Sequence, residues 1–450
     1  MNIVIIGGVA AGAKAASKIK RLLPNSKVTV FTDDTHVSYS SCGIPYYIEG
    51  NFTDYKLLLV RSVEEFKSMG IDIYLQSKVI KILPEQRQVL VCDNNSASLV
   101  EYDKLIVATG ATPFIPDNLN LSSYNNIFTV RKIEDGLNIR DKMLSSKSAV
   151  IVGSGYIGME ILEAFVKNGL RVSVIEKNNK IMSVFDDDIS NLIFERLKNE
   201  YSDNIEFYTG ETITEISGEN GLAESVKLSS GKEIQTDIVI FCAGVVPNVQ
   251  VAVDAGIELG KNGAIKVNKL MQTSIENVYA CGDCAEKTHI VSGKEVWIPL
   301  GSTANKEGRC AAINASGEFE QFEGVLGSAV TRCLNTTMSM TGLTEKQAAS
   351  AGFTPVSVRI DKLDRVGYMP DAGEIYLKVV ADRVTGLILG AQAIGAVGAD
   401  KRINSLTPAL LSHMTVDEYS NNDLTYSPPY SPTIDPLLNA MMVLKNKIRE

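Results

Sequence analysis

The stretch 148–181, "SAVIVGSGYIGMEILEAFVKNGLRVSVIEKNNKI", constrains the fold more than any other part of the chain. An apolar run precedes Gly153, Gly155 and Gly158, which stand in full G-x-G-x-x-G register. An amphipathic helical pattern follows, and then a second strand, "RVSVIE", closing on Glu176. Strand, tight turn, helix and strand in that order predict a βαβ unit. In such a unit the free N–H groups at the helix start can receive a pyrophosphate. Glu176 stands where a carboxylate accepts from both hydroxyls of a ribose and repels a 2′-phosphate, which favours NADH, while Lys177 beside it keeps NADPH open. Tyr156 is the first residue after the turn and belongs to the same candidate nucleotide site.

A second unit of the same kind opens the chain. "NIVIIGGVAAGAKAASKIKRLL" reads as strand, turn and helix, with Gly7 and Gly12 in the first and third fingerprint positions and Val9 in the middle one. After the strand "KVTVF", Asp33 is the candidate ribose acid, at or one place past the expected position; the alternative is a surface turn. Two such units some 145 residues apart suggest two dinucleotides and electron flow between them. The fold class expected is α/β, with two Rossmann-like domains and a further α+β domain. The length of 450 residues allows about three domains.

Between and after these units lie "YDKLIVATGATP" (102–113), with Thr109 and Gly110 at a crossing between domains, and "TSIENVYACGDCAE" (273–286). The second reads as a strand ending at Gly282-Asp283 before a helix, where a carboxylate suits the hydroxyls of a ribityl chain. Cys281-x-x-Cys284 is not read as a metal pair, because no second pair completes four ligands, and no metal is expected. Seven cysteines, at 42, 92, 242, 281, 284, 310 and 333, are scattered rather than arranged as a disulfide framework. That fits a reducing cytoplasm. A net charge of −9 argues against nucleic acid as a partner, and no apolar run approaches the length of a membrane span.

"SYSSCGIPYYIEG" (38–50) holds a lone thiol, Cys42. From these residues alone it could be a core sulfur, half of a disulfide, a metal ligand or a redox nucleophile.

Taken in order, the first fingerprint, Cys-Gly-x-Pro, "ATG", the second fingerprint, "FCAGVVPN" (241–248) and "VYACGD" resemble the flavin pyridine-nucleotide disulfide reductases over essentially the whole chain. The resemblance implies an FAD domain (1–112 and 243–322) interrupted by an NAD(P)H domain (113–242), then a dimerisation domain (323–450). It implies FAD and NADH or NADPH as cofactors, and a homodimer whose active site is shared between subunits. With one cysteine in place of a C-x-x-x-x-C pair, it points to the single-cysteine branch: coenzyme A-disulfide and coenzyme A-dependent sulfur reductases, NADH oxidases and peroxidases. The oxidases and peroxidases carry a histidine in the first glycine turn, where this chain has Ala10.

The same resemblance assigns further residues. Tyr368 in "DRVGYMPDAG" and Tyr426 in "LTYSPPYSP" match tyrosines that reach the other subunit's cysteine as proton donors, and Tyr430 belongs to the same loop. Lys18 and Arg21 on the first helix are candidates for the phosphates of coenzyme A, the alternative being a solvated helix face. Ser38 and Ser41 flank the thiol, and Ser41 departs from the Asn expected there. Asn305 and Arg309 in "STANKEGRCAA" match a helix lining the flavin and coenzyme sites. The expected activity is therefore NAD(P)H-driven reduction of coenzyme A disulfide or a related small disulfide or persulfide through a mixed disulfide on Cys42. The alternatives are an oxidase or peroxidase cycling Cys42 through sulfenic acid, and a flavoprotein redox sensor.

Overall fold

The structure is a computed structural model that describes residues 1–450 except 94, 95, 117, 118, 120 and 396. Two parallel five-stranded sheets dominate it. The first runs Val278–Ala280, Lys104–Val107, Asn2–Ile6, Lys27–Phe31, Ile71–Tyr74. The second runs Ile205–Thr209, Arg171–Glu176, Ser148–Val152, Ile238–Phe241, Ile127–Thr129. The inner strands Asn2–Ile6, Lys104–Val107, Ser148–Val152 and Ile238–Phe241 are near-continuous apolar runs because both faces are covered, as parallel sheets require. The edge strand Val278–Ala280 joins the first sheet only after the chain has built the whole second one.

Each glycine turn is dictated by close backbone approach. At Gly7 (φ +105°) a Cβ would sit 2.1 Å from the carbonyl oxygen of Ala108, and at Gly12 it would sit 1.9 Å from that of Gly7. Gly153 (φ +98°) and Gly158 repeat this, at 2.4 Å from the Cys242 oxygen and 2.1 Å from the Gly153 oxygen. Helices Ala10–Leu22 and Tyr156–Lys167 follow these turns. The second buries Ile161, Leu162, Ala164 and Phe165 completely, each large side chain contributing about 2 kcal/mol.

The third layer is an antiparallel five-stranded sheet, ordered Ala329–Cys333, Thr336–Gly342, Ile388–Gly395, Glu374–Asp382, Pro355–Leu363. Helices Ala399–Leu411 and Pro436–Arg449 pack on it through Leu406, Leu437 and Leu444. Among the described residues no helix is long and apolar enough to cross a membrane.

Candidate active site

Cys42 sits in a single turn of 3-10 helix, Ser41–Gly43, that leads directly into helix Ile44–Glu49, with Pro45 in the latter's first turn. Pro45 needs no N–H there, and Gly50 (φ +98°) ends the helix in the left-handed conformation. The loop is tied to the first glycine turn by Ser38, whose N–H donates to the Gly8 carbonyl at 2.8 Å. Ser38 itself is left-handed (φ +52°) and buried, a strained arrangement for a residue with a Cβ. Cys42 is exposed, whereas the other six cysteines are buried or half-buried.

The sulfur lies against the start of helix Gly301–Ala315: a Cβ on Gly301 would be 3.8 Å from Cys42 Sγ. Asn305 and Arg309 follow Gly301 at spacings of four on the exposed face of that helix, so the three share one stripe leading away from the thiol. Arg309 pairs with Glu320 at 3.0 Å.

The chain by itself does not depress the thiol's pKa. Burial by neighbouring groups, then the Glu160 and Asp283 carboxylates, push it up, against smaller downward pulls from the Ser41 hydroxyl and Arg131. Glu160 is itself pushed up to about 7 by burial, although it accepts a hydrogen bond from Thr331 Oγ1 at 3.1 Å.

Asp283 sits in the turn that follows strand Val278–Ala280, with Gly282 at φ +83°. Its Oδ1 is buried with no hydrogen-bond partner, its Oδ2 lies 3.7 Å from Arg131 Nη1, and its carbonyl accepts from Trp297 Nε1 at 2.8 Å. A braced carboxylate with one orphaned oxygen fits the hydroxyls of a ribityl chain. Thr109 and Gly110 are fastened to Asn248: Thr109 Oγ1 donates to its carbonyl at 2.6 Å, and its N–H donates to the Gly110 carbonyl at 2.9 Å.

The nicotinamide side is more local. A Cβ on Gly155 would meet nothing within 4 Å, so the helix start there is open to a ligand. Glu176 is buried at the end of its strand, and its carboxylate accepts from Ser154 N (3.0 Å) and Oγ (2.6 Å) and from Asn178 N and Nδ2 (both 2.8 Å). Tyr156 is half-buried at the first position of the helix, and burial pushes its phenol up to about 12.

Asp33 does not take the corresponding place in the first unit. Gly7 N–H donates to the Phe31 carbonyl as Gly153 N–H donates to that of Ile175, both at 2.8 Å. Thr32 is therefore the counterpart of Glu176. Asp33 lies one residue later and is exposed, while Asp34 turns inward to accept from Tyr39 Oη at 2.7 Å.

Lys18 is half-buried and Arg21 exposed on helix Ala10–Leu22; neither forms an ion pair among the described residues. The sequence reading missed Arg61, whose Nη1 donates to Ser17 Oγ at 3.1 Å and so brings a third cation to this face. A lone arginine in a loop far along the chain carries no local signal. His36, which reads as a solvated loop residue, is half-buried and lies 3.0 Å from Glu134 Oε1. With Asp34 it brings three potential ligand atoms within 4.8 Å of one another, but Thr35 and Tyr39 already occupy the Asp34 oxygens and one of Glu134.

Tyr368 and Tyr426 are 74% and 50% exposed on a single chain, Tyr430 is 74% exposed, and none of these phenols has a hydrogen-bond partner among the described residues. Arg402, buried on helix Ala399–Leu411, joins their two loops. It donates through Nη2 to the Asp364 carbonyl (2.8 Å) and the Tyr430 carbonyl (3.4 Å), and through Nε to Asp435 (3.1 Å).

Two dinucleotide turns in one chain, a thiol between them and a separate antiparallel domain define a flavin- and nicotinamide-dependent oxidoreductase. The chain belongs to the pyridine nucleotide-disulphide oxidoreductases, whose family model matches residues 1–308 and whose dimerisation-domain model matches 330–437. It is 38% identical over 449 residues to the NAD(P)H coenzyme A polysulfide/persulfide reductase of Pyrococcus horikoshii, covering 99% of this chain and 98% of that one. It is 30% identical over 437 residues to the coenzyme A disulfide reductase of Staphylococcus haemolyticus, covering 96% of each. The crystal structure of reduced CoADR-RHD from Bacillus anthracis superposes with a TM-score of 0.95 at 32% identity, covering all of this chain and 80% of that one.

Proposed function

We propose that this chain is an FAD-dependent reductase that uses NAD(P)H to reduce coenzyme A disulfide, or a related small disulfide or persulfide, through a mixed disulfide on Cys42. The observation that carries the reading is that Cys42 is the exposed cysteine of the seven, lying against helix Gly301–Ala315 with no second cysteine in its segment. Its sulfur partner must then come from the substrate. Both curated relatives described above are named for coenzyme A chemistry, which supports that substrate class.

The Cys42 thiolate attacks one sulfur of the substrate: a Cys42–S bond forms, the substrate S–S bond breaks, and one thiolate leaves. Tyr426 of the partner subunit or Tyr368 of the partner subunit gives that thiolate a proton, and the exposure of both phenols on the single chain suits a role across a homodimer interface. When bound, FAD would supply the two electrons, drawn from NAD(P)H, that break the Cys42–S bond, so that the second half of the substrate leaves as its thiol and Cys42 returns to the thiolate. Ser38 and Ser41 flank the attacked sulfur, and Asn305 and Arg309 lie along the stripe that a pantetheine arm would follow. Lys18 and Arg21, with Arg61 beside them, face the phosphates. Asp283, Thr109, Gly110, Gly7 and Gly12 hold FAD. Gly153, Gly155, Gly158, Tyr156 and Glu176 hold the nicotinamide nucleotide, with Glu176 favouring NADH. In domain terms, 1–112 with 243–322 carries FAD, 113–242 carries NAD(P)H and 323–450 makes the dimer. The unpaired, scattered cysteines suit a reducing cytoplasm.

Mass spectrometry of the protein isolated without reductant tests this directly. A Cys42 adduct of coenzyme A mass is expected, together with NADH oxidation that depends on coenzyme A disulfide and falls about a thousandfold in Cys42→Ser. Sulfenic acid or free thiol alone, with oxygen consumption that persists when no thiol substrate is present, would replace the reductase with an oxidase.

A further inference from the structure

We propose that a completely buried ion pair, Lys287 with Glu307, is a positioning device that holds the Gly282-Asp283 turn in the shape FAD requires. Both side chains have 0% exposure, and Lys287 Nζ lies 3.4 Å from Glu307 Oε1. Removing two charges from water costs several kcal/mol per ion, so such a pair is a poor way to stabilise a core and calls for another role.

Its hydrogen bonds converge on one segment of backbone. Glu307 Oε2 accepts from the Gly282 N–H at 2.7 Å. Lys287 Nζ donates to the Gly282 carbonyl at 3.0 Å and to the Ala285 carbonyl at 2.9 Å. The same Gly282 carbonyl accepts the Ala285 N–H at 3.1 Å, which closes the turn around Asp283. Gly282 is left-handed (φ +83°), and a Cβ there would come within 2.9 Å of Ala11 Cβ, in the helix that follows the first glycine turn. The acid thus grips the glycine's donor and the amine its acceptor, one residue before the orphaned Asp283 Oδ1. Glu307 also belongs to the helix whose first residue lies against Cys42 Sγ, so one rigid element is fixed at the thiol and at the flavin turn.

The pair has a titrating member. Burial pushes Glu307 up to about 7, with Lys287 pulling it down and Asp283 pushing further up. The other titratable groups facing it are the thiols of Cys281 and Cys310, which burial pushes upward, so they stay protonated near neutrality. Above pH 7 the carboxylate is ionised and the clamp complete; below it, a proton removes the charge that Lys287 faces. FAD is therefore held less tightly on the acid side.

The test compares wild type, Glu307→Gln, Lys287→Met and the double variant, each stripped of FAD and retitrated with it between pH 6 and 8, with thermal unfolding of the apo and FAD-loaded forms. Lys287→Met is expected to raise the FAD Kd about tenfold or more, because it strips donors from two carbonyls and removes the cation that favours the ionised form of Glu307. The near-isosteric Glu307→Gln keeps an oxygen for the Gly282 N–H, is expected to raise the Kd about threefold, and abolishes the change in Kd across pH 7. Should Lys287→Met fail to fold, the FAD Kd of Glu307→Gln set against its apo melting temperature decides, with the pH profile beside them. The proposal is overturned if the variants bind FAD within twofold of wild type while only the apo melting temperature falls. It is equally overturned if Glu307→Gln keeps the wild-type pH profile.

Discussion

The two glycine turns share their steric centre and differ in everything around it. In both, the first glycine is left-handed under a carbonyl from the neighbouring strand, and the third lies on the carbonyl of the first, 1.9–2.1 Å from where a Cβ would be. The second turn then completes itself locally: Gly155 leaves the helix start open, and Glu176, 23 positions after Gly153 in the numbering, is locked by Ser154 and Asn178. The first turn has Val9 in the middle and Thr32 in the acid's place, so it borrows. On the proposed reading Asp283, from a segment far along the chain and 3.7 Å from Arg131, closes its site, with Lys287, Glu307 and Trp297 holding its turn. A dinucleotide site can thus be a single βαβ unit or a composite that exists only once distant segments have met.

The comparison breaks most visibly at Asp283. If the first site depends on borrowed groups, Asp283→Ala should raise the FAD Kd about a hundredfold, the scale of losing hydrogen bonds to a charged, buried acceptor. Titration of the apoprotein with FAD measures this. Retention of FAD at wild-type affinity would mean that the first glycine turn is self-sufficient after all.

This difference also decides what was readable in the sequence. The second unit could be read residue by residue, because turn, helix and acid lie within one short window and each position has its own steric or electrostatic demand. In the first unit the same template pointed to Asp33, and the strand register moves that position to Thr32. The counting rule finds a place in the fold, whatever residue occupies it. Asp283 was readable as a carboxylate at a turn, but the Lys287–Glu307 clamp was not, since neither residue has a local pattern and their meeting depends on helix Gly301–Ala315 packing across helix Ala10–Leu22. Arg61 escaped for the same reason. The upward push on the Cys42 thiol was not readable either, since it comes first from burial by groups gathered around the loop and then from Glu160, on the second unit's helix more than a hundred residues away.

A smaller effect is expected at the middle glycine of the second turn. Gly155 has an ordinary φ of −77° and free space around its missing Cβ, so Gly155→Val should fold normally and keep its FAD. Any loss then belongs to the ligand that needs the open helix start: the KM for NADH should rise about tenfold, with little change in KM for the disulfide. An unchanged KM would show that the second nucleotide does not approach that backbone.

The reciprocal change should do least. Val9 is the N-cap of its helix, half-buried, and packs against the hydrophobic cluster that includes Tyr39 and Ile44. Val9→Gly removes that contact and adds backbone freedom, so about 1 kcal/mol of stability should be lost. FAD affinity should stay within twofold, because the closing groups of this site come from elsewhere and a more open turn offers them nothing. Paired thermal unfolding and FAD titration separate the two quantities. A tenfold gain in FAD affinity would show that Val9 was limiting the first turn as a side chain would limit the second. The two sites would then be one design at different stages of refinement, and not a local and a composite solution to the same problem.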